Sequence, residues 1–220
     1  MKLIFEGQFT HLAAAFLLLT IVYALSEMPG FREGIFLDVS TLNLAILAVT
    51  VTIVHQIYVW LCWRMELHRR LLTRLLGNKA FNVYAVGFVF LIVCRPILIF
   101  ALGWSNRETL VINVWLGYGI CAFLFIPTAY LMFSIKHYFT FRRAFGIDHF
   151  DPNASNIAFV RQGIFRWSPN AMYVFGFMGL WIPAFLFQSV TALIVAAFSH
   201  VYIWVHYYAT EKPDMVRIYG

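Results

Sequence analysis

Two polar clusters near the end of the chain have side chains that could bind a small ligand. Arg166, Asn170 and Tyr173 supply hydrogen-bond donors for a carboxylate and for the edge of a ring. Glu211 follows an apolar stretch, and a carboxylate is a suitable partner for a ligand ammonium group. Each cluster also has an ordinary alternative. The first fits a capped helix start, and a single acid at such a position is often only solvated.

A third polar segment, residues 145–153, could move a proton. Asp148 and His149 lie there among turn-forming residues, which suits a mobile lid that carries a proton acceptor. A capped surface turn is the alternative. Three basic residues in the surrounding polar segment are candidates for contact with an anionic group such as a lipid phosphate, or else they only mark one side of a membrane: Arg142, Arg143 and Arg161.

A glycine pair, Gly117 and Gly119, lies inside a long apolar run. Small residues in membrane helices usually allow close packing between helices. The functional alternative is that the bare backbone lets a flat ligand lie against the helix.

These residues must be positioned by membrane helices, because the chain is 62% hydrophobic and only 12% charged. We predict an all-α integral membrane protein with about six transmembrane helices. Their predicted ranges are 9–26, 41–63, 81–103, 111–135, 172–187 and 189–208. The fifth is short and contains Pro183, so we expect it to be the least regular of the six.

The last two predicted spans form a hairpin. Residues 174–209 are 36 residues without Asp, Glu, Lys or Arg, which is too many for one crossing of roughly 20 residues. A turn near Gln188 would return Glu211 to the membrane face that carries Asn170 and Tyr173. The sequence therefore predicts a pocket between the two ends of the hairpin.

Basic residues are concentrated in two connecting segments, 64–79 and 136–171. Under the positive-inside rule both segments would face the cytoplasm, together with both termini. The second segment interleaves aromatic and basic residues, as in a lid lying in the headgroup plane. The net charge of +6 then favours anionic lipid headgroups over nucleic acid as partners. The three cysteines lie in apolar runs, so neither a disulfide framework nor a metal site is predicted.

Taken in order, these motifs resemble the integral-membrane methyltransferase superfamily that includes phosphatidylethanolamine N-methyltransferase and isoprenylcysteine carboxyl methyltransferase. The likeness is closer to the phospholipid branch, which has Gly-x-Gly in a membrane helix, Asn-Pro-Met-Tyr before the last hairpin and Glu-Glu-Pro after it. The corresponding residues here are Gly117-Tyr118-Gly119, Asn170-Ala171-Met172-Tyr173 and Glu211-Lys212-Pro213. The likeness extends to Tyr58–Gly77 and to the Gly163–Arg166 lead-in. Ala171 stands where the family has proline, and Lys212 where a second glutamate is usual.

The resemblance implies a single polytopic domain over residues 1–220, with 1–54 as accessory spans and 55–220 as the methyltransferase-like core. It also implies S-adenosylmethionine as methyl donor, bound in a cytoplasmic pocket. The residues implied to bind this cofactor are Gly117, Gly119, Arg166, Asn170, Tyr173 and Glu211. An amine acceptor must lose a proton before it attacks, and His149 is the preferred base, with Asp148 as the alternative.

The sequence thus predicts a methyltransferase that acts at the membrane on a lipid or lipidated acceptor, with phospholipid N-methylation preferred. The alternatives are an isoprenylcysteine-type carboxyl methyltransferase and a non-catalytic membrane scaffold or lipid-binding relative, which the departures at Ala171 and Lys212 would suit. A transporter is disfavoured because the polar groups gather at one face instead of the midplane. The expected location is the bacterial inner membrane or the endoplasmic reticulum, and the oligomeric state stays open.

Overall fold

The computed structural model describes residues 2–153, 156 and 158–220, and these are mostly helical. Five of the described helical segments are long and apolar enough to cross a membrane: Gln8–Leu25, Thr41–Arg69, Leu71–Ser105, Val114–Phe139 and Val190–Tyr219. The prediction of an all-α integral membrane protein is therefore confirmed. Residues 154, 155 and 157 of the predicted polar segment 136–171 lie outside the described residues.

The regular elements follow one another with few long connections. In chain order they are α1 (Gln8–Leu25), β1 (Ile35–Phe36), β2 (Val39–Ser40), α2 (Thr41–Arg69), α3 (Leu71–Leu76), α4 (Ala80–Ser105), α5 (Val114–Ser134), α6 (Phe141–Ala144), α7 (Ile182–Leu186), α8 (Val190–His206) and α9 (Lys212–Tyr219). Strands β1 and β2 form a short antiparallel hairpin, with Ile35 opposite Ser40. It leads directly into α2.

Three of the long helices begin at polar capping residues. The side chains of Ser40, Asn113 and Ser189 accept hydrogen bonds from backbone N–H groups in the first turns of α2, α5 and α8. Such caps satisfy donors that a helix start leaves without a partner. The caps place the beginnings of these helices where the apolar runs begin.

The predicted fifth span, 172–187, is the least regular of the six, as its length and Pro183 led us to expect. It is a shorter apolar segment, Met172–Leu186, built from a π turn (Met172–Gly176), a 3₁₀ turn (Gly179–Trp181) and α7. Even as a regular helix it would reach roughly 22 Å, less than the roughly 30 Å of a bilayer core. Glycine and proline within it weaken regular helix formation. The six predicted spans are thus five long helices and one short irregular one.

This short segment runs antiparallel to α5. Cys121 Sγ lies 3.5 Å from the Ile182 carbonyl oxygen, and Thr128 Oγ1 donates to the Phe175 carbonyl oxygen at 2.9 Å. On its other side, Trp181 Nε1 donates to His200 Nδ1 of α8 at 3.0 Å. The segment is therefore held between α5 and α8 and connects the two ends of the bundle.

Candidate functional site

The two ends of the uncharged hairpin meet. At the turn Gln188 has a left-handed backbone conformation with φ 53°, and Ser189 Oγ accepts from Ala192 N at 3.1 Å. The chain then returns along itself, and the Tyr173 hydroxyl donates a hydrogen bond to the Glu211 carboxylate. Two side chains 38 residues apart are thereby in direct contact, as the hairpin prediction required.

A buried arginine holds the turn that carries Glu211. This turn is a π turn, Tyr207–Glu211, a widened helical form that is frequent at functional sites. Arg64 Nη2 donates to the carbonyl oxygens of Ala209 at 3.4 Å and Thr210 at 3.1 Å. Arg64 Nε lies 2.7 Å from the Asp214 carboxylate, and both side chains are fully buried. Arg64 thus fixes the backbone immediately before Glu211 and the acid three residues after it.

Asp214 also lies beside His149, the predicted proton acceptor. His149 Nε2 is 3.6 Å from Asp214 Oδ2, and the imidazole stacks on the Trp63 indole with ring centroids 4.0 Å apart. The stacking of His149 on Trp63 requires glycine at position 146. The φ of Gly146 is 83°, and a Cβ there would lie 2.4 Å from Trp63 Cζ2. Only a residue without a side chain lets the backbone of the polar segment 136–171, here called the lid, lie so close to the indole.

Asp148, the second predicted base candidate, is tied to the C-terminal helix. Its Oδ2 accepts from the Tyr219 hydroxyl at 2.6 Å and from Arg143 Nε at 3.3 Å. A cleft of about 310 Å³ opens beside it, lined by Leu67, Arg70, Asp148, His149, Asp151, Pro152, Arg217 and Ile218. Asp148 therefore closes the lid against α9 and faces a cleft in the size range of small-molecule sites.

The three arginines predicted to contact a lipid phosphate have different environments. Arg143 is engaged internally, because it also donates from Nη1 to the Ala158 carbonyl oxygen at 2.9 Å. The exposed Arg142 places its guanidinium 4.7 Å from the centre of the Phe81 ring. Arg161 is exposed. Arg142 and Arg161 are thus accessible from outside, whereas Arg143 is a structural partner of the lid.

The three residues of the Arg166–Tyr173 motif differ in how they contribute to the site. Tyr173 reaches Glu211, whereas the exposed Arg166 lies over Trp167 at 4.9 Å from the ring centre. The carbonyl oxygen of Asn170 accepts from Tyr173 N at 3.0 Å, so this residue begins the turn that aims Tyr173. The amide of its side chain is half-buried.

Both departures from the family pattern are accommodated. Ala171 is fully buried in an apolar cluster that includes Leu131 and Phe165, so it fills a packing position. Lys212 is exposed, and its ammonium lies 5.4 Å from the centre of the Tyr208 ring. The charge that replaces the usual second glutamate is therefore held at the surface of α9.

The glycine pair lies at the other end of the bundle. A Cβ on Gly117 would lie 3.0 Å from the Phe185 carbonyl oxygen, whereas one on Gly119 would meet no other atom within 4 Å in the described part of the chain. Gly117 precedes Thr128, which is level with Phe175, by 11 residues, or about 16 Å along the helix. The structure does not bring the pair to Tyr173 and Glu211, and Gly117 instead allows close packing against α7.

The residues at the start of α1 also contact the π turn Tyr207–Glu211. Gly7 has φ 75°, and a Cβ there would lie 2.4 Å from the Ala209 carbonyl oxygen. Gln8 Nε2 donates to Thr210 Oγ1 at 3.1 Å. The backbone that leads to Glu211 is thus clamped between Arg64 and the segment 3–11, an arrangement that sequence reasoning missed.

Signals for two of the missed residues exist in the sequence. Arg64 directly follows the second predicted span, at the apolar boundary, where a charge requires a partner. Asp214 lies three residues after Glu211, a spacing that places two side chains on one helix face. Their pairing joins positions 150 residues apart, and no local pattern indicates it.

Comparison with known proteins identifies the C-terminal half. A profile described as phospholipid methyltransferase matches residues 112–220, which include both ends of the hairpin. The phosphatidylethanolamine N-methyltransferase of Scheffersomyces stipitis is 29% identical over 117 residues, 53% of this chain. Proteins of the same name from Clavispora lusitaniae and Lodderomyces elongisporus are 34% and 30% identical over 73 residues, 33% of this chain. No solved structure matches.

The chain aligns with only a small part of each of these relatives. The aligned stretches cover 13%, 8% and 8% of the lengths of these relatives, so the chain corresponds to a small part of each. The predicted likeness at Tyr58–Gly77 precedes the matched profile. The resemblance to the phospholipid branch is nevertheless confirmed: residues 112–220 match the phospholipid methyltransferase family, and the chain is similar to phosphatidylethanolamine N-methyltransferases.

Proposed function

We propose that this protein transfers a methyl group from S-adenosylmethionine to the amine of a membrane phospholipid. The observation that carries the proposal is the contact between Tyr173 and Glu211, because the two motifs that share the family pattern form one site across the hairpin. The names of the relatives favour an amine acceptor over a carboxyl acceptor.

The polar groups of the site suit this cofactor. Glu211 offers a carboxylate to the cofactor ammonium, and it contacts an uncharged partner, Tyr173. Asp148 Oδ1 is buried and has no hydrogen-bond partner among the described residues, so it is free to accept from a ribose hydroxyl. When bound, the donor supplies a sulfonium-activated methyl group, which passes to the amine nitrogen as the carbon–sulfur bond breaks and leaves a neutral thioether.

His149 is placed to take the proton that the amine must lose. Its imidazole is 1% exposed and is fixed between the Trp63 ring and the Asp214 carboxylate. The carboxylate lies 3.6 Å from His149 Nε2, on the side of the ring where a proton would be taken up. Its burial excludes water, which would otherwise solvate the reacting nitrogen.

The lid would lie at the headgroup level of the membrane. Its outer surface combines exposed aromatic rings with basic side chains, including Phe141, Arg142 and Arg161, which suits an interface with anionic lipid. We place this face and both termini in the cytoplasm under the positive-inside rule. The bacterial inner membrane and the endoplasmic reticulum both satisfy this orientation.

The test uses the full chain reconstituted with phosphatidylethanolamine and methyl-labelled S-adenosylmethionine. We expect label in N-methylated phosphatidylethanolamine, identified after lipid extraction. Glu211→Gln should weaken cofactor binding by about 10- to 100-fold, because a hydrogen bond to a charged group is lost. Glu33→Gln, at an exposed acid of the opposite end, is the matched control and should bind normally.

Other outcomes identify the alternatives. Label that mild base releases as methanol would indicate a carboxyl methyl ester, as expected of an isoprenylcysteine-type enzyme. Lipid binding without cofactor binding in calorimetry would indicate a non-catalytic relative. Either result would overturn the proposal.

A further inference from the structure

Three buried side chains from three separate elements lie around the indole of Trp63. Trp63 belongs to α2, Tyr84 to α4, His149 to the lid and His206 to the end of α8. His149 stacks on Trp63 at 4.0 Å, and the His206 ring centre lies 6.0 Å from that of Trp63. Tyr84 packs in the same apolar cluster as Trp63. We call these four residues the indole cluster; each is 6% exposed or less.

The indole cluster has an unusual number of polar atoms without partners. Among the residues that the structure describes, Trp63 Nε1, the Tyr84 hydroxyl and both ring nitrogens of His149 and His206 are buried and make no hydrogen bond. Folded proteins pair more than about 90% of buried polar groups. Six such atoms around one indole therefore indicate a place where a ligand or water supplies the missing partners.

The chemistry of the cluster favours an amine. Imidazole nitrogens and a phenol oxygen accept hydrogen bonds from N–H groups, and aromatic rings attract a positive charge at their faces. A primary amine would use the acceptors. Each methylation removes one N–H donor and adds a methyl group, so a methylated amine depends more on the rings.

The cluster also adjoins the proposed reacting groups. His149 belongs to the cluster and is also the proposed base. In the chain, only residues 207–210 lie between His206 and Glu211. A second buried ring, His11, lies 6.0 Å from His206 and is bonded to Tyr202 and Gln8. The partnered state of His11 contrasts with that of its neighbour His206. Other buried atoms without partners lie elsewhere in the described residues, at His55, His68, Arg95 and Asp148, but six gather at Trp63 and the three rings beside it.

We propose that Trp63, Tyr84, His149 and His206 form the subsite for the amine end of the acceptor headgroup, in its unmethylated and partly methylated forms. This inference rests on the proposed function. It assigns to His206 and Tyr84 direct contact with the acceptor, beyond the family motifs at the hairpin ends.

The test compares His206→Leu with His200→Leu in the reconstituted full chain. His200 lies on the same helix but bonds to Trp181, outside the cluster, so it is the matched control. Acceptors are phosphatidylethanolamine and its N-methyl and N,N-dimethyl derivatives. We expect His206→Leu to raise the acceptor KM for phosphatidylethanolamine about 10- to 100-fold, with a smaller rise for the dimethyl derivative and an unchanged cofactor Kd. His200→Leu should leave all four values unchanged.

A second variant keeps the test decisive if His206→Leu does not fold. Tyr84→Phe removes one oxygen atom and should raise the same KM about 3- to 10-fold, again most for the unmethylated acceptor. Equal losses for all acceptors together with weaker cofactor binding would show a structural role and overturn the subsite. Unchanged kinetics in both variants would mean that the cluster holds only water. A wild-type protein that methylates none of these lipids would refute the proposed function instead.

Discussion

Replacing Gly7 by alanine tests whether the start of α1 positions Glu211. Gly7 has φ 75°, and a Cβ there would lie 2.4 Å from the Ala209 carbonyl oxygen. Real Cβ atoms keep at least 3.0 Å from such neighbours, so one backbone must move by about 0.6 Å. The backbone that must yield is the π turn that ends at Glu211.

Gly7→Ala is expected to lower both the stability of the fold and the activity. Two terms contribute to the loss of stability. A side chain in the left-handed region costs about 1–2 kcal/mol, and forcing an atom into a packed contact costs about 1–3 kcal/mol more. A misplacement of about 1 Å in a site can lower the rate by about 100-fold. We therefore expect kcat/KM to fall by about 10-fold or more, with weaker cofactor binding.

Gly77 supplies the matched control. It has φ 55°, and a Cβ there would contact no other atom within 4 Å in the described ranges. Gly77→Ala should therefore show the backbone strain alone, as a fall of about 2–8 °C in the unfolding midpoint with normal cofactor affinity. Calorimetric Kd, unfolding midpoint and kcat/KM are measured for both variants. Equal cofactor affinities in the two variants would refute the positioning role of α1.

Three further predictions test other parts of the site. Arg64→Met should cost about 3–5 kcal/mol, because it removes the buried partner of the Asp214 carboxylate and leaves only the partly exposed Arg217, at 3.4 Å, as a cation beside it. The double variant with Asp214→Leu should recover part of this in a thermal-unfolding cycle. Additive losses would contradict the pairing. Lys212→Glu restores the residue usual in the family, yet cofactor Kd should change less than about fivefold, since the ammonium lies at the surface over Tyr208; a larger gain in calorimetry would contradict this placement. Gly119→Ala should leave cofactor affinity unchanged, and a clear loss in the same assay would restore the role that the motif predicted.

The features that could be predicted are those whose signal lies within one continuous segment of the sequence. The hairpin follows from a run of 36 residues without Asp, Glu, Lys or Arg, since such a run is a local signal of burial in lipid. Its turn at Gln188 and the meeting of Tyr173 with Glu211 then follow from geometry. The assignment to the phospholipid branch follows from the order of the short motifs.

Features that depend on distant partners could not be predicted. Arg64 and Asp214 are 150 residues apart, and either alone is an ordinary boundary charge. The pattern Gly-x-Gly is present, but the depth of Gly117 in the bundle depends on Phe185, its neighbour on the hairpin. The irregularity of the segment Met172–Leu186 was expected from its length and Pro183, but no local pattern gives the positions of its π and 3₁₀ turns.

The clamp on the Glu211 turn has a consequence for the order of assembly. Gln8 and Thr210, which it joins, are 202 positions apart, so the contact cannot form until nearly all intervening helices have been synthesised. At about 5–20 residues per second this takes roughly 10–40 s. Throughout that interval α1 lies in the membrane without its contact to the π turn at Thr210. The geometry around Glu211 is therefore completed late in biogenesis, and a nascent chain arrested before α8 would be inserted without this contact.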